Sequence, residues 1–543
     1  MIVGDIRNID LSTSSFERMI AGNCLYVDKT RMIEHFLTTS SSVQLITRQR
    51  RIGKSLNMDT LRCFLTNQQD YRHLFKGLYI ESSKVWEMAH SAPVFYFNLK
   101  GLSTDGYKSQ IRNQAIKHMY ALSGSKELEG YARYRFDSMM DGSNEAIESL
   151  FCLTEIAHEL TGKRVYLLID EYDRLFMDEY NSEKYDEISN FLTNLLSTAL
   201  KDNPHLEKAL ITGVMRISYE SMFSGLNNIK TFDIFSDNTY TDDYGFTEGE
   251  AASLCQFAGV SLDDARAWYN GIKVNGHAIY NTYSMMSYLN DGTRACYWGR
   301  SGTMDTITQL LNDGRRITLA KLLNREKIET RVDTRISLKQ LFTGDGNEAF
   351  YSLLVQGGYL SIDKKSPASD MAFMSIPNKE LEIVWKSFIL STHFPSEVHL
   401  RTLFDNTNDL ATFQNDMEYF LTDRLSYHDL AGYHDDDRIP EKLYHIFLLG
   451  LLSAYDDVRF QYPLSNRESG NGRYDILIER ESANYIFEFK TAESENGLEK
   501  AAQTAVKQII AKRYGQDSGG SDKVPLVKVG IAFWRKRCKV AVM

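Results

Sequence analysis

Apolar residues fall into short runs along the first half of the chain. Through residue 245 the runs Gln44–Thr47, Val94–Leu99, Val165–Ile169 and Ala209–Val214 stand between helix-like stretches. Near-continuous apolar runs that alternate with helices predict a parallel sheet covered by helices. From 246 to 335 the pattern is helical and opens on Thr247-Glu248-Gly249-Glu250, where Thr247 as N-cap and Glu250 three residues on predict a capping box. That stretch reads as an all-α lid. Residues 336–395 run from helix (Leu338–Leu341, Phe350–Leu354) to hairpin (Gly357–Ile362, Met371–Ile376), the order of a winged helix. Winged helices bind DNA or join domains, and the weakly basic Asp363-Lys364-Lys365 favours the joiner. From 396 the chain is helical to about 457 and then β-like again. No internal repeat is present, and low-complexity sequence is confined to Thr38–Ser42 and Gln516–Ser521.

The first apolar run leads directly into chemistry. Leu45-Ile46-Thr47 enters the basic turn Arg48-Gln49-Arg50-Arg51, then Gly53-Lys54-Ser55, then a helix-like pattern at Leu56, Leu61, Phe64 and Leu65. A strand, a loop and a helix in that order can cradle phosphates. Backbone N–H groups at the helix start point at the anion, Gly53 permits close approach, Lys54 reaches the β/γ oxygens and the Ser55 hydroxyl serves Mg²⁺. Arg50 and Arg51 add charge beside the phosphates or act across a subunit interface in a homo-oligomer. Arg48 stands where the first glycine of such loops is expected, and Gly-Lys-Ser alone is equally the start of an ordinary helix.

The third run decides between these. Val165-Tyr166-Leu167-Leu168-Ile169 ends on Asp170-Glu171, a buried strand that delivers two carboxylates at its C-terminal end, where open α/β sheets bind ligands. Asp170 then holds Mg²⁺ through water and Glu171 polarises the attacking water; the bland alternative is an acidic cap on the next helix. Thr212, near the end of the fourth run, is a candidate γ-phosphate sensor or a strand-end turn, and Arg216 beyond it reads as well as a surface cation.

A second constellation lies near the carboxy terminus. Gly472–Ile478 and Tyr485–Lys490 flank the turn-like Glu481–Asn484 and predict a hairpin. Strand periodicity puts Glu488 and Lys490 on one face and Phe487 and Phe489 on the other. Pivoting about 481–484 brings Asp475 opposite Glu488, or within about one rung of it. As chemistry, Asp475 and Glu488 bind Mg²⁺, Lys490 orients or deprotonates water, and the substrate is a phosphodiester. The alternative is an exposed sheet face with an ordinary ion pair. Farther on, Ala502, Ala505, Gln508, Ile509 and Lys512 recur at helical spacing. Gln508 and Lys512 share a face that reaches a phosphate backbone or is simply solvated, and Arg535-Lys536-Arg537 is either a DNA contact or a solvated tail. His434-Asp435-Asp436-Asp437 reads as a solvated acidic loop rather than a metal site.

Composition narrows the class. At 543 residues the chain has room for three or four domains, and 43% hydrophobic with 25% charged residues is ordinary for a globular protein. A net charge of −10 excludes a protein that coats nucleic acid non-specifically, though not a local basic groove. The six cysteines are scattered without metal spacing, which predicts reduced thiols and a cytoplasmic location. The start lacks an apolar signal segment. The longest strongly apolar stretch, Ile446–Tyr455, is too short to span a bilayer, so no membrane association is expected.

Tyr26-Val27-Asp28-Lys29-Thr30, Arg48–Ser55, Leu168–Asp173, Thr212-Gly213-Val214, Phe223–Asn228, Tyr244-Gly245-Phe246-Thr247 and Trp268-Tyr269-Asn270-Gly271 resemble the AAA-ATPase-like family of bacterial proteins, whose members often end in a PD-(D/E)XK nuclease-superfamily domain. The likeness covers nearly the whole chain. The family's loop reads Arg-Pro-Arg-Arg-Phe-Gly-Lys-Ser, so the missing first glycine is a family trait; Gln49, Ile52, Asn270 and Ile272 depart from its pattern. The resemblance implies an α/β architecture: a P-loop parallel-sheet ATPase domain in 1–245, a helical lid in 246–335, a winged-helix-like module in 336–395, and a C-terminal α/β PD-(D/E)XK nuclease-like domain in 396–543. It further implies Glu441 as an additional metal carboxylate and Glu468 as a polar group near the metal. The expected cofactors are ATP and Mg²⁺, with Mn²⁺ as a substitute. The expected activity is ATP-dependent cleavage of nucleic acid, DNA by preference, in defence against foreign DNA. The rival expectation is a nucleotide-switched binding or interaction module that cuts nothing.

Overall fold

The structure, a computed structural model, describes residues 1–391 and 464–543 apart from internal stretches, the longest being 217–227, 299–306, 333–340 and 515–524; between 392 and 463 it describes only scattered positions. It divides into two compact units, Met1–Arg300 with Lys327–Leu381, and Ser301–Glu326 with Glu382–Met543.

In the first unit β1 (Val43–Thr47), β2 (Val94–Asn98), β3 (Val165–Asp170), β4 (Leu206–Gly213) and β5 (Ile229–Phe232) form one parallel sheet in the order β2-β3-β4-β1-β5. The four apolar runs are its first four strands. The fifth escaped the sequence reading because an edge strand needs no continuous apolar run, and in Ile229-Lys230-Thr231-Phe232 only Phe232 is buried. Since β4 lies between β1 and β3, the loop after β1 and the acidic end of β3 open on the same edge, one strand apart. The register pairs Ile46 with Thr212 and Ile169 with Ile211, which sets Asp170 beside Thr212 on the next rung.

Helices α1 (Lys54–Leu65), α2 (Tyr107–Ser123), α3 (Ser149–Thr161) and α4 (Tyr185–Leu200) accompany the sheet. Met58, Leu61, Phe64 and Leu65 of α1 are buried in one cluster with Ile46, Leu168 and Leu210. Each such side chain contributes roughly 1.5–3 kcal/mol, and together they fix the start of α1 above the strand ends.

The next segment opens as expected, with Thr247 and Glu250 closing a reciprocal capping box on α5 (Glu248–Ala258), followed by α6 (Leu262–Tyr269) and α7 (Thr282–Asp291). It is not all helix. Between α6 and α7, β6 (Ile272–Val274) and β7 (His277–Ile279) form a hairpin whose turn carries Gly276 at φ +83°. The Asn-Gly dipeptide at 275–276 is the hairpin signal that the helical reading passed over. Beyond it, β8 (Ile328–Arg331), β9 (Ser361–Lys365) and β10 (Met371–Ser375) make an antiparallel sheet in the order β8-β10-β9, with α8 (Asn347–Gly357) before the hairpin and α9 (Lys379–Ser391) after it. The expected helix around 338–341 lies outside the described residues apart from Leu341.

In the second unit β11 (Ile476–Ile478), β12 (Asn484–Thr491), β13 (Leu526–Trp534) and β14 (Arg537–Val542) follow one another in a single sheet, with the two-residue strand Leu464–Ser465 on the far side of β11. β11 and β12 are antiparallel, β12 and β13 parallel, β13 and β14 antiparallel. Helix α10 (Leu498–Lys512) turns buried Ala502, Ala505 and Ile509 inward. It lies close because β13 carries Gly530, where an added Cβ would sit 2.4 Å from the Ala502 carbonyl oxygen. Glu441, His434–Asp437, Ile446–Tyr455 and Gln516–Ser521 lie outside the described residues. All six cysteines are free thiols, and among the described residues no helix is long and apolar enough to cross a membrane.

Candidate functional site

The turn after β1 has the backbone of a phosphate cradle. Arg51 at φ +62° and Gly53 at φ +87° bend it, and nothing lies within 4 Å of a Cβ added at Gly53. Glycine is therefore required by conformation, and the space beside it is open to a ligand. Arg48, in place of the usual first glycine, is fully buried. Its guanidinium donates to the carbonyls of Thr47 (2.9 Å) and Phe232 (3.1 Å) and lies over the Tyr244 ring, so it ties the loop to the edge strand rather than facing a ligand. Lys54 is buried and donates to the carbonyls of Arg48 (3.0 Å) and Gln49 (2.6 Å). Burial pushes its ammonium down to about 8 against the pull of Asp170, Asp173 and Glu171. Arg51 is exposed with its guanidinium over Tyr283, while the carbonyls of Arg50 and Arg51 accept from Asn281 Nδ2 and Thr282 Oγ1 at the start of α7. The hinge of the loop is thus held by the helix that follows the β6–β7 hairpin.

Asp170 is the centre of this site. Fully buried, it accepts four hydrogen bonds: Oδ1 from Thr212 Oγ1 (2.5 Å) and the Glu171 N–H (3.0 Å), Oδ2 from Ser55 Oγ (2.6 Å) and Tyr96 OH (3.1 Å). Ser55, Asp170 and Thr212, far apart in sequence, thus meet within hydrogen-bond reach. Glu171 adopts φ +54°, a left-handed conformation that costs a non-glycine residue about 1–2 kcal/mol, and Lys100 Nζ lies 3.9 Å from its carboxylate. Asp173, which the sequence reading assigned no task, is buried and accepts the N–H groups of Val214 (2.8 Å) and Met215 (2.9 Å), fixing the chain just past β4. Gly213 allows this, since a Cβ there would stand 2.7 Å from the Tyr172 ring.

The second site is built on the β11–β12 register. Ile476 pairs with Phe487, so Asp475 falls opposite Glu488, and Asp475 Oδ2 accepts the Phe489 N–H at 2.8 Å. Glu488 is buried; Lys490 Nζ lies 3.4 Å from its Oε1, and Gln508 Nε2 of α10 donates to the same oxygen. Asp475, Glu488, Lys490 and Gln508 thus gather at one end of β12. Gln508 meets the carboxylate because Gly530 lets α10 approach. Lys512, one turn on, is exposed. Of the terminal basic cluster, Arg537 pairs with Glu418 (3.2 Å) and Glu495 (3.8 Å), and the Arg535 guanidinium lies over Trp534.

Two family models match the chain, one described as predicted AAA-ATPase over residues 10–223 and one as PD-(D/E)XK nuclease superfamily over residues 439–542. The chain carries an AAA-ATPase-like domain and a PD-(D/E)XK nuclease-superfamily domain. The first match encloses the phosphate loop and Asp170, and the second encloses Asp475, Glu488 and Lys490. A protein of Azotobacter chroococcum mcd 1, described as an uncharacterized protein in the vnfD 5′ region, is 26% identical over 547 residues, 97% of each chain. The solved structure of the Aeropyrum pernix ORC2 protein in ADPNP–ADP complexes is 10% identical over 67% of this chain and 93% of that one, at a TM-score of 0.32. Nothing about this chain follows from so distant a likeness.

Domains of these two kinds use nucleotide and divalent metal, and both sites offer the hard oxygen donors such an ion prefers. In the AAA-ATPase-like domain a buried carboxylate stands 2.6 Å from a serine hydroxyl. In the nuclease-superfamily domain Glu488 stands 3.4 Å from the Lys490 ammonium, and Asp475, across the hairpin, accepts the Phe489 N–H.

Proposed function

We propose that the chain is a nucleotide-regulated, metal-dependent nuclease that hydrolyses phosphodiester bonds of nucleic acid, DNA by preference, in the bacterial cytoplasm. The observation that carries this reading is the gathering of Asp475, Glu488 and Lys490 around one strand end, with Gln508 on the inner carboxylate. A domain that only grips nucleic acid has no use for two metal carboxylates. Asp475 and Glu488 would hold the ion, which supplies Lewis acidity at the scissile phosphate. Lys490 would orient the attacking water; as that oxygen bonds to phosphorus the bond to the leaving oxygen breaks, the water's proton passing to solvent and the departing oxygen taking a proton from solvent. In the AAA-ATPase-like domain Lys54 would neutralise the β/γ oxygens, Ser55 and Asp170 would hold the accompanying ion, Thr212 would respond to the γ-phosphate, and Glu171 would orient water for hydrolysis. Nucleotide state then gates cutting, and defence against foreign DNA is the role the family resemblance suggests.

The test incubates full-length protein with end-labelled duplex DNA and with RNA, in Mg²⁺, Mn²⁺ or EDTA, with and without ATP. Metal-dependent cleavage of DNA that changes with ATP is the expected result. Tight binding in EDTA with no cleavage under any condition would replace this reading with a nucleotide-switched binder.

A further inference from the structure

Tyr96 stands in the middle of β2 between Phe95 and Phe97, where a third phenylalanine would satisfy packing. Its hydroxyl instead donates across to β3, to Oδ2 of Asp170. The carboxylate is held from three directions: Tyr96 on β2 to one side, Thr212 on β4 to the other, and Ser55 from α1. The same strand end continues the pattern, because Asn98 Nδ2 lies 3.5 Å from the Tyr96 hydroxyl and Lys100 faces Glu171.

We propose that Tyr96 is a positioning residue of the nucleotide site, holding the Asp170 carboxylate in the orientation that presents it, with Ser55 Oγ, to the divalent ion accompanying a bound nucleotide. This rests on the nucleotide reading given above. A carboxylate turns freely about its Cβ–Cγ bond unless both oxygens are held. Oδ1 has Thr212 and a backbone N–H. Without Tyr96, Oδ2 keeps only Ser55 among these donors, and that hydroxyl must then hold the carboxylate and serve the ion together. Partners that orient a metal ligand typically change metal affinity by about 10- to 100-fold when removed.

Tyr96→Phe keeps the ring and deletes the hydroxyl. The measurement is binding of a fluorescent ATP analogue to the full-length protein, titrated with Mg²⁺ and repeated in EDTA. The half-saturating Mg²⁺ concentration should rise about tenfold or more, with metal-free affinity unchanged, and Asn98→Ala should move it the same way by less. Tyr166→Phe is the control, since that tyrosine is buried at the opposite end of β3, paired with Val94. An unchanged Mg²⁺ requirement in Tyr96→Phe overturns the proposal, as does an equal shift in Tyr166→Phe. Wild-type protein that binds no nucleotide at all would overturn the nucleotide reading itself and this proposal with it, a result distinct from normal binding with an unmoved metal requirement.

Discussion

The two sites are assembled in opposite ways. The phosphate-loop site draws Lys54, Ser55, Tyr96, Asp170 and Thr212 from three neighbouring strands and one helix start, so its geometry depends on the order of a five-stranded sheet. The nuclease-like site draws Asp475, Glu488 and Lys490 from one hairpin and adds a single side chain, Gln508, from the helix that follows. Their internal chemistry differs as well. Asp170 takes four donors and Lys54 two backbone carbonyls, so the first site is satisfied by its own parts. In the second, one buried carboxylate shares a single oxygen between a lysine and a glutamine. A site spread over a sheet fails by losing one key contact; a site on a hairpin fails by losing the helix that covers it.

The largest effect that would break this contrast is expected at Lys54. Lys54→Ala removes a buried charge from the phosphates and should weaken ATP binding by at least about 30-fold, read by equilibrium binding, while metal-dependent cutting without ATP persists. Next is Gly530→Ala. Its Cβ would meet the Ala502 carbonyl and lie 2.9 Å from the Ala505 and Val506 side chains, so α10 must move. The carboxy-terminal unit should lose about 1–3 kcal/mol of stability by denaturant titration, and cutting should fall with it while ATP binding holds. Gln508→Ala leaves the fold in place and takes one donor from Glu488. Its expected effect is a metal requirement for cutting raised about tenfold. Unchanged metal dependence would return Gln508 to the role of an outer nucleic-acid contact.

The smallest effect concerns Glu380 at the start of α9. It is buried, and its Oε1 accepts the N–H groups of Trp298 (2.6 Å) and Tyr297 (2.7 Å) and the Ser284 hydroxyl of α7 (3.1 Å). Burial raises its carboxyl to about 7 from the ordinary 4.5. A group raised on folding favours the folded state while protonated, so this contribution is complete below about pH 4.5 and is lost as pH rises through 7. Thermal unfolding of wild type should therefore show a stability loss between about pH 4.5 and 7 that Glu380→Gln lacks, because the amide oxygen can take the same three donors without charge.

What the sequence disclosed follows the same division. The phosphate loop and the Asp170-Glu171 strand end were legible because each is local, and the Asp475–Glu488 pairing followed from pivoting one hairpin. Tyr96 gave no sign, because its partner lies on another strand 74 residues away and nothing local separates it from the phenylalanines beside it. Gln508 was legible as a helix position, but its contact with Glu488 depends on Gly530 and hence on how close helix and sheet come. Arg48 looked like a gap in a glycine motif until the edge strand supplied its acceptor, Phe232. The β6–β7 hairpin was missed although its Asn-Gly turn was in view, since helical periodicity on both sides outweighed it.

On the function proposed above, one chain holds two separable sites of phosphate chemistry. The most direct measurement is cleavage of supercoiled plasmid in Mg²⁺, with and without ATP, by wild type, Lys490→Ala and Lys54→Ala, alongside ATP hydrolysis by each. Lys490→Ala should lose cutting by about 10²- to 10⁴-fold and hydrolyse ATP normally, whereas Lys54→Ala should lose hydrolysis and the response of cutting to ATP. Equal cutting by all three proteins, or loss of both activities in either mutant while the fold is intact, would contradict the proposed function.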